Sequence, residues 1–93
     1  MKRYAGRATG RVQGVGFRVF VQKNASELGV TGWVRNMDDG SVTMEAQGDE
    51  NKLNELEARI KKGSFIISVN ELKWDEIPAL TDGAENGFEI IRK

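Results

Sequence analysis

The stretch GRVQGVGFR, Gly10 to Arg18, holds three glycines, two arginines and no acidic residue. It stands between a short β-tolerant segment, RYAGRATGRV, and the helical-period segment FRVFVQKNASELG. Glycine takes positive φ without steric cost, so a loop of this kind can turn successive N–H groups toward one centre. The loop then enters a helix N-terminus, whose unpaired donors and positive partial charge favour an anion. Arg18 falls in the first helical turn, beside the same point. A guanidinium meets phosphate or carboxylate oxygens two at a time. Two better-known phosphate loops do not fit. A Walker A motif ends in Gly-Lys-Ser or Gly-Lys-Thr where this chain has GFRV, and Val19 stands where a dinucleotide fingerprint needs its third glycine.

The rest of the composition narrows the chemistry. The 93 residues contain no cysteine and no histidine. Disulfides, thiolate nucleophiles and a Ser-His-Asp triad are thereby excluded, along with the commonest general base and transition-metal ligand. Asp38, Asp39 and Glu45 form no spaced set suited to a metal, so neither metal nor cofactor is expected. Fourteen basic residues balance fourteen acidic ones, which gives no general attraction for nucleic acid or an anionic membrane. No run approaches the ~20 apolar residues of a membrane span. The basic start MKRYAGRATG has no apolar run behind it and is not a signal peptide. A single domain over residues 1–93, in the cytoplasm, is expected.

The elements that must carry the loop follow from periodicity. An edge-like or glycine-weakened strand is expected over about residues 3–12. Phe17, Phe20, Val21, Ala25 and Leu28 follow the i, i+3, i+4 rule of a helix that stops at Gly29. VTGWVRN reads as a strand with Trp33 and Val34 on opposite faces, and Asp39-Gly40 signals a tight hairpin. In SVTMEAQG, Val42, Met44 and Ala46 alternate with polar residues, as in a half-buried strand. Asp49 is a candidate N-cap for a second helix with an apolar stripe of Leu53, Leu56 and Ile60, ended by Gly63. SFIISVNELKWDEI reads as a long strand whose parity slips near Asn70, the mark of a bulge. PALTDGAENG is a polar loop and FEIIRK a final short strand. The order βαββαβ predicts an α+β, ferredoxin-like sandwich, a mainly antiparallel sheet with both helices on one face.

With GWVRN, DGSV and EAQG read beside it, the loop resembles the acylphosphatase family over the whole chain. The agreement falls on Gly10, Val12, Gln13, Gly14, Val15, Phe17 and Arg18, then Gly32, Val34 and Asn36, then Gly40, Val42 and Gly48. The resemblance implies a ferredoxin-like fold and hydrolysis of a small acyl phosphate to a carboxylate and phosphate. It places the phosphate-binding arginine on Arg18 and the water-orienting asparagine on Asn36. It also implies that the amides of Gln13, Gly14, Val15, Gly16 and Phe17 cradle the phosphate. No nucleic-acid or membrane partner is expected, and the chain is taken as a monomer. Two other readings share the fold. An RNA-binding module has the same element order, but SVTMEAQG offers no aromatic residue on which a base could stack. A non-catalytic anion-binding or regulatory domain would keep the same loop.

Overall fold

The computed structural model describes residues 1–81 and 83–92. Five strands and two helices alternate as β1 (Lys2–Arg11), α1 (Phe17–Glu27), β2 (Thr31–Asn36), β3 (Val42–Gly48), α2 (Glu50–Lys62), β4 (Ser68–Ile77) and β5 (Phe88–Ile91). The strands form one sheet in the order β4-β1-β3-β2-β5, antiparallel throughout except for the parallel pair β2–β5. The strand expected to be edge-like, β1, lies in the interior instead, between β4 and β3. Both helices pack on one face, α1 over β2 and β5 and α2 over β3 and β4. The α+β ferredoxin-like sandwich expected from the element order is the fold of the chain. The final short strand expected from FEIIRK is β5, which lies on the edge opposite β4.

The core lies between sheet and helices. Val34, Val42, Met44 and Ala46 from the sheet meet Phe17, Val21 and Ala25 of α1 and Leu53, Leu56 and Ile60 of α2, all buried. These are the residues whose periods of 2 and 3.6 marked them for one face. Gly32 gives β2 its close approach to β3, since a Cβ there would lie 1.9 Å from the carbonyl oxygen of Glu45. The bulge expected near Asn70 is present. Thr9 pairs with Glu71 and Gly10 with Val69, so Asn70 is the extra residue.

The long strand expected from Ser64 is shorter at its start. Residues 64–67 form a bend in which Ser64 N donates to Ile67 O, and Phe65 projects fully into solvent. Gly63 has just ended α2, and the chain must reverse before it can pair with β1, which leaves Phe65 outside the core. The expected polar loop and final strand hold Asp82 and Lys93, which lie outside the described residues.

Two polar arrangements fix the ends of the sheet. At one end the chain leaves β4 on one sheet edge and enters β5 on the other. Leu80 N donates to Gln47 Oε1 and Gln47 Nε2 donates back to Leu80 O. Arg3, only 2% exposed, forks onto both carboxylate oxygens of Glu85 at 2.8 and 2.9 Å and reaches Glu45 at 2.9 Å. The bond to Arg3 holds the Glu85 carboxyl below its ordinary pKa. At the other end, β2 and β3 turn through Asp38-Asp39-Gly40, closed by Met37 N to Ser41 O. Asp39 Oδ1 accepts from Ser41 N at 2.9 Å and from Ser41 Oγ at 2.6 Å, while Oδ2 accepts from Arg7 at 2.9 Å.

Those bonds, the Ser41 hydroxyl first, hold the Asp39 carboxyl at a pKa of about 2, against 3.8 ordinarily. A carboxyl with a depressed folded-state pKa stabilises the fold above its unfolded value and loses that contribution as pH falls toward the folded value. The hairpin should therefore loosen between about pH 4 and pH 2. Asp39→Asn removes the titrating group. Thermal melts across this range should fall less steeply for the variant than for the parent, and parallel curves would show that Asp39 is not the group responsible.

Candidate active site

The loop 12–16 is pinned at both ends. Val12 and Phe17 are buried in the core. Gln13 turns its amide away from the loop and donates from Nε2 to Met37 O at 2.8 Å and to Ser41 O at 2.9 Å. The side chain of Gln13 thus ties the loop to the β2–β3 hairpin, and only its backbone is available to a ligand. Val15 packs against the core from outside. Between these anchors Gly14 and Gly16 take φ of 75° and 77°, a region that disfavours any side chain. Nothing lies within 4 Å of where their Cβ atoms would stand, so that side of the loop is open.

The two helices start in contrasting ways. α2 begins on Asp49, whose side chain accepts from Asn51 N, carries Glu50 in its first turn, and ends with Arg59, Lys61 and Lys62. Its dipole is complemented at both ends. α1 begins on Gly16 with no side-chain cap and no acid in its first turn. Arg18 stands there instead, a cation at the positive end of the dipole. Among the described residues, none of the amides from Gln13 to Phe17 donates to a protein acceptor. This end of α1 is built to take its counter-charge and its acceptors from outside the chain.

The opening of the loop is a cleft of about 110 Å³ lined by Val12, Gly14, Gly16, Phe17, Arg18, Val19, Asn36 and Arg92. A water molecule occupies about 30 Å³ of liquid, so the space admits a group of a few heavy atoms. The structure thus brings Gly14, Gly16, Phe17, Arg18 and Asn36 to one place, with Gln13 and Val15 in the loop behind it. Asn36 arrives as the last residue of β2, paired with Val42. Its Oδ1 is buried and accepts from no described group. An acceptor left so costs about 1–3 kcal/mol.

A larger cleft of about 300 Å³ lies on the other side of Asn36, lined by Arg7, Arg35, Asp38, Asp39 and Ser41 among others. Its two arginines face two carboxylates, and Arg7 is already bonded to Asp39. The smaller cleft has two arginines and no acidic residue. Sign of charge, not size, distinguishes the two clefts. Among the described residues, no group of three or more acidic, His or Cys side chains is placed to hold a metal ion.

Arg92 is the lining residue that sequence reasoning did not single out. It is the penultimate residue, and nothing local ties it to the loop. It reaches the cleft because β5 pairs with β2 up to Ile91 opposite Arg35, the residues just before Arg92 and Asn36. Arg35 of β2 is half-buried, with its Nε unpartnered among the described residues.

Comparison with known proteins agrees with this geometry. The acylphosphatase family model matches residues 4–90. An acylphosphatase of Salinibacter ruber is 53% identical over 91 residues, covering 98% of this chain and 94% of the relative. One of Clostridium acetobutylicum is 43% identical over 91 residues, 98% of each chain. The crystal structure of acylphosphatase from Bacillus subtilis superimposes with a TM-score of 0.91 at 39% identity, covering 99% of this chain and all of that one. Loop, strand pairing and similarity extend over the same residues, and the chain belongs to the acylphosphatase family.

Proposed function

We propose that the chain hydrolyses acyl phosphates to a carboxylate and inorganic phosphate, using the acid-free cleft at the start of α1. The observation that carries this reading is the meeting in that cleft of an uncapped helix start, with its free amides and Arg18, and Asn36, with no acidic residue among those described lining the same space. The first suits a phosphoryl group and the second a water molecule.

In this mechanism the amides of Gln13 to Phe17 and the Arg18 guanidinium hold the phosphoryl oxygens. Asn36 holds a water by its side-chain amide. The water oxygen bonds to phosphorus as the bond from phosphorus to the acyl oxygen breaks, and that electron pair leaves with the carboxylate. A carboxylate departs without protonation, so no general acid is needed. Asparagine does not accept a full proton, and histidine is absent from the chain. The proton of the attacking water therefore passes to a phosphoryl oxygen of the substrate. Phosphoryl transfer spreads charge over three equatorial oxygens and asks chiefly for position and electrostatic stabilisation. A few amides, one guanidinium and one carboxamide supply both. The substrate is a small diffusible molecule, and the chain acts on it as a single domain over residues 1–93, a monomer in the cytoplasm. Among the described residues, no helix is long and apolar enough to cross a membrane. A binding-only role gains no support from the family match.

The two side chains should fail in different ways. Arg18 touches the phosphoryl group in ground and transition states alike. Arg18→Gln should weaken competitive inhibition by inorganic phosphate and remove most turnover of benzoyl phosphate. Stability should hold or rise by up to ~1 kcal/mol, because a cation leaves the positive end of a helix. Asn36→Ala should lower kcat by roughly 10²- to 10³-fold, the scale of losing one preorganised polar group, while the phosphate inhibition constant stays within a few-fold. Unfolding of Arg18→Gln with full activity per folded molecule would make Arg18 structural and refute the assignment.

Metal independence follows from the residue types. Activity should survive excess EDTA and gain nothing from Mg²⁺. Loss on chelation that a divalent ion restores would overturn the mechanism.

A further inference from the structure

The cleft holds a second cation that the mechanism above leaves idle. Arg92 lines it together with Gly14, Gly16, Arg18 and Asn36. Its place is set by structure on three sides. β5 runs parallel to β2 with Ile90 opposite Val34 and Ile91 opposite Arg35, and Arg92 and Asn36 are the residues that follow this last pair. Gln22 Nε2 of α1 donates to Phe88 O at 3.0 Å, which fastens β5 to the helix that carries Arg18. Gly32 N donates to Gly87 O at 3.1 Å, and Arg3 clamps the preceding connection at Glu85. The fold thus delivers the end of the chain to one spot.

Among the described residues, charge pairing sets Arg18 and Arg92, like Arg11 and Arg35, apart from Arg3, Arg7 and Arg59. Of those four unpaired arginines, only Arg18 and Arg92 line this cleft. Arg3, Arg7 and Arg59 each bond a carboxylate. Among the described residues, neither Arg18 nor Arg92 makes an ion pair, and no acid lines the space they share. Two cations in one small cleft repel each other, since the screening length at physiological salt is about 8 Å. An anion between them removes that cost. Arg92 is an exposed residue at a strand end. Such a group responds to charge that substrate and product both carry, rather than to charge that appears only as the bond breaks.

We propose that Arg92 is a second substrate-binding cation, which captures the phosphoryl group of the acyl phosphate and of product phosphate while Arg18 and Asn36 carry the chemical step. This rests on the reading of the cleft as the phosphoryl site. Binding that is equal in ground and transition states appears in KM and not in kcat.

The test compares Arg92→Gln and Arg92→Lys with the parent chain, using benzoyl phosphate as substrate and inorganic phosphate as inhibitor, at low and high NaCl. Arg92→Gln should raise KM and the phosphate inhibition constant together, by roughly two- to fivefold, the scale of a solvent-exposed charge pair. Turnover at saturation should stay within about twofold. Added salt should shrink the difference, and Arg92→Lys should restore most of the affinity. Unchanged KM and inhibition constant, at an unchanged melting temperature, would make Arg92 a solvated chain end and overturn the proposal. So would a fall in kcat with the inhibition constant unmoved. Arg18→Gln is measured alongside. If that variant binds phosphate and turns over like the parent, the cleft itself is misplaced and both readings fall; if only Arg92→Gln is silent, the loss is confined to Arg92.

Discussion

A helix start that the chain leaves unsatisfied is the constraint around which this structure is arranged. α2 shows that the same sequence can cap a helix fully, with Asp49 and Glu50 at its beginning and basic residues at its end. α1 has Gly16 where a cap would be and Arg18 where an acid would serve its dipole. Both choices cost stability in the free protein. In the proposed reading both costs are offset by one kind of ligand, a small oxyanion with several acceptor atoms. The local weakness persists because the loop's neighbours hold it from behind: Val12 and Phe17 in the core, and Gln13 on the hairpin.

The hairpin has a part in this beyond closing two strands. Its backbone carbonyls at Met37 and Ser41 receive Gln13, and its turn is locked by Asp39 on Ser41 and Arg7. Asn36 is the residue just before that turn. The position of Asn36 and the position of the glycine loop are therefore set by one connected set of hydrogen bonds around the hairpin. Preorganisation of this kind suits phosphoryl transfer, where little of the work is covalent.

At the far end of the sheet the buried Arg3 has a different task. Its fork onto Glu85 holds a connection that passes from one sheet edge to the other, with Gln47 and Leu80 exchanging bonds beside it. A buried ion pair adds little net stability, yet breaking one partner is costly, by about 3–5 kcal/mol. Such a pair is well suited to fixing a route. Here the route ends in β5, and so in Arg92.

Local pattern in the sequence determined the two helices, the strands, the bulge at Asn70, the cap at Asp49 and the glycine loop, because each depends on residues a few positions apart. Arg18 beside a helix start was legible for the same reason, and Asn36 through the family pattern around it. The residues that line the cleft from afar were not. Arg92 meets Asn36 only through a parallel strand pair, and Arg3 meets Glu85 across 82 residues. Gln13, expected with the phosphate loop, spends its side chain on the hairpin, a partner 24 residues away. The start of β4 was also undecided by pattern, because Phe65 and Ile67 share parity whether or not the chain is extended there. Periodicity reports which face a residue takes within its own element. Which strand lies beside which is set by burial and pairing summed over the whole chain, and only the tertiary structure decided it.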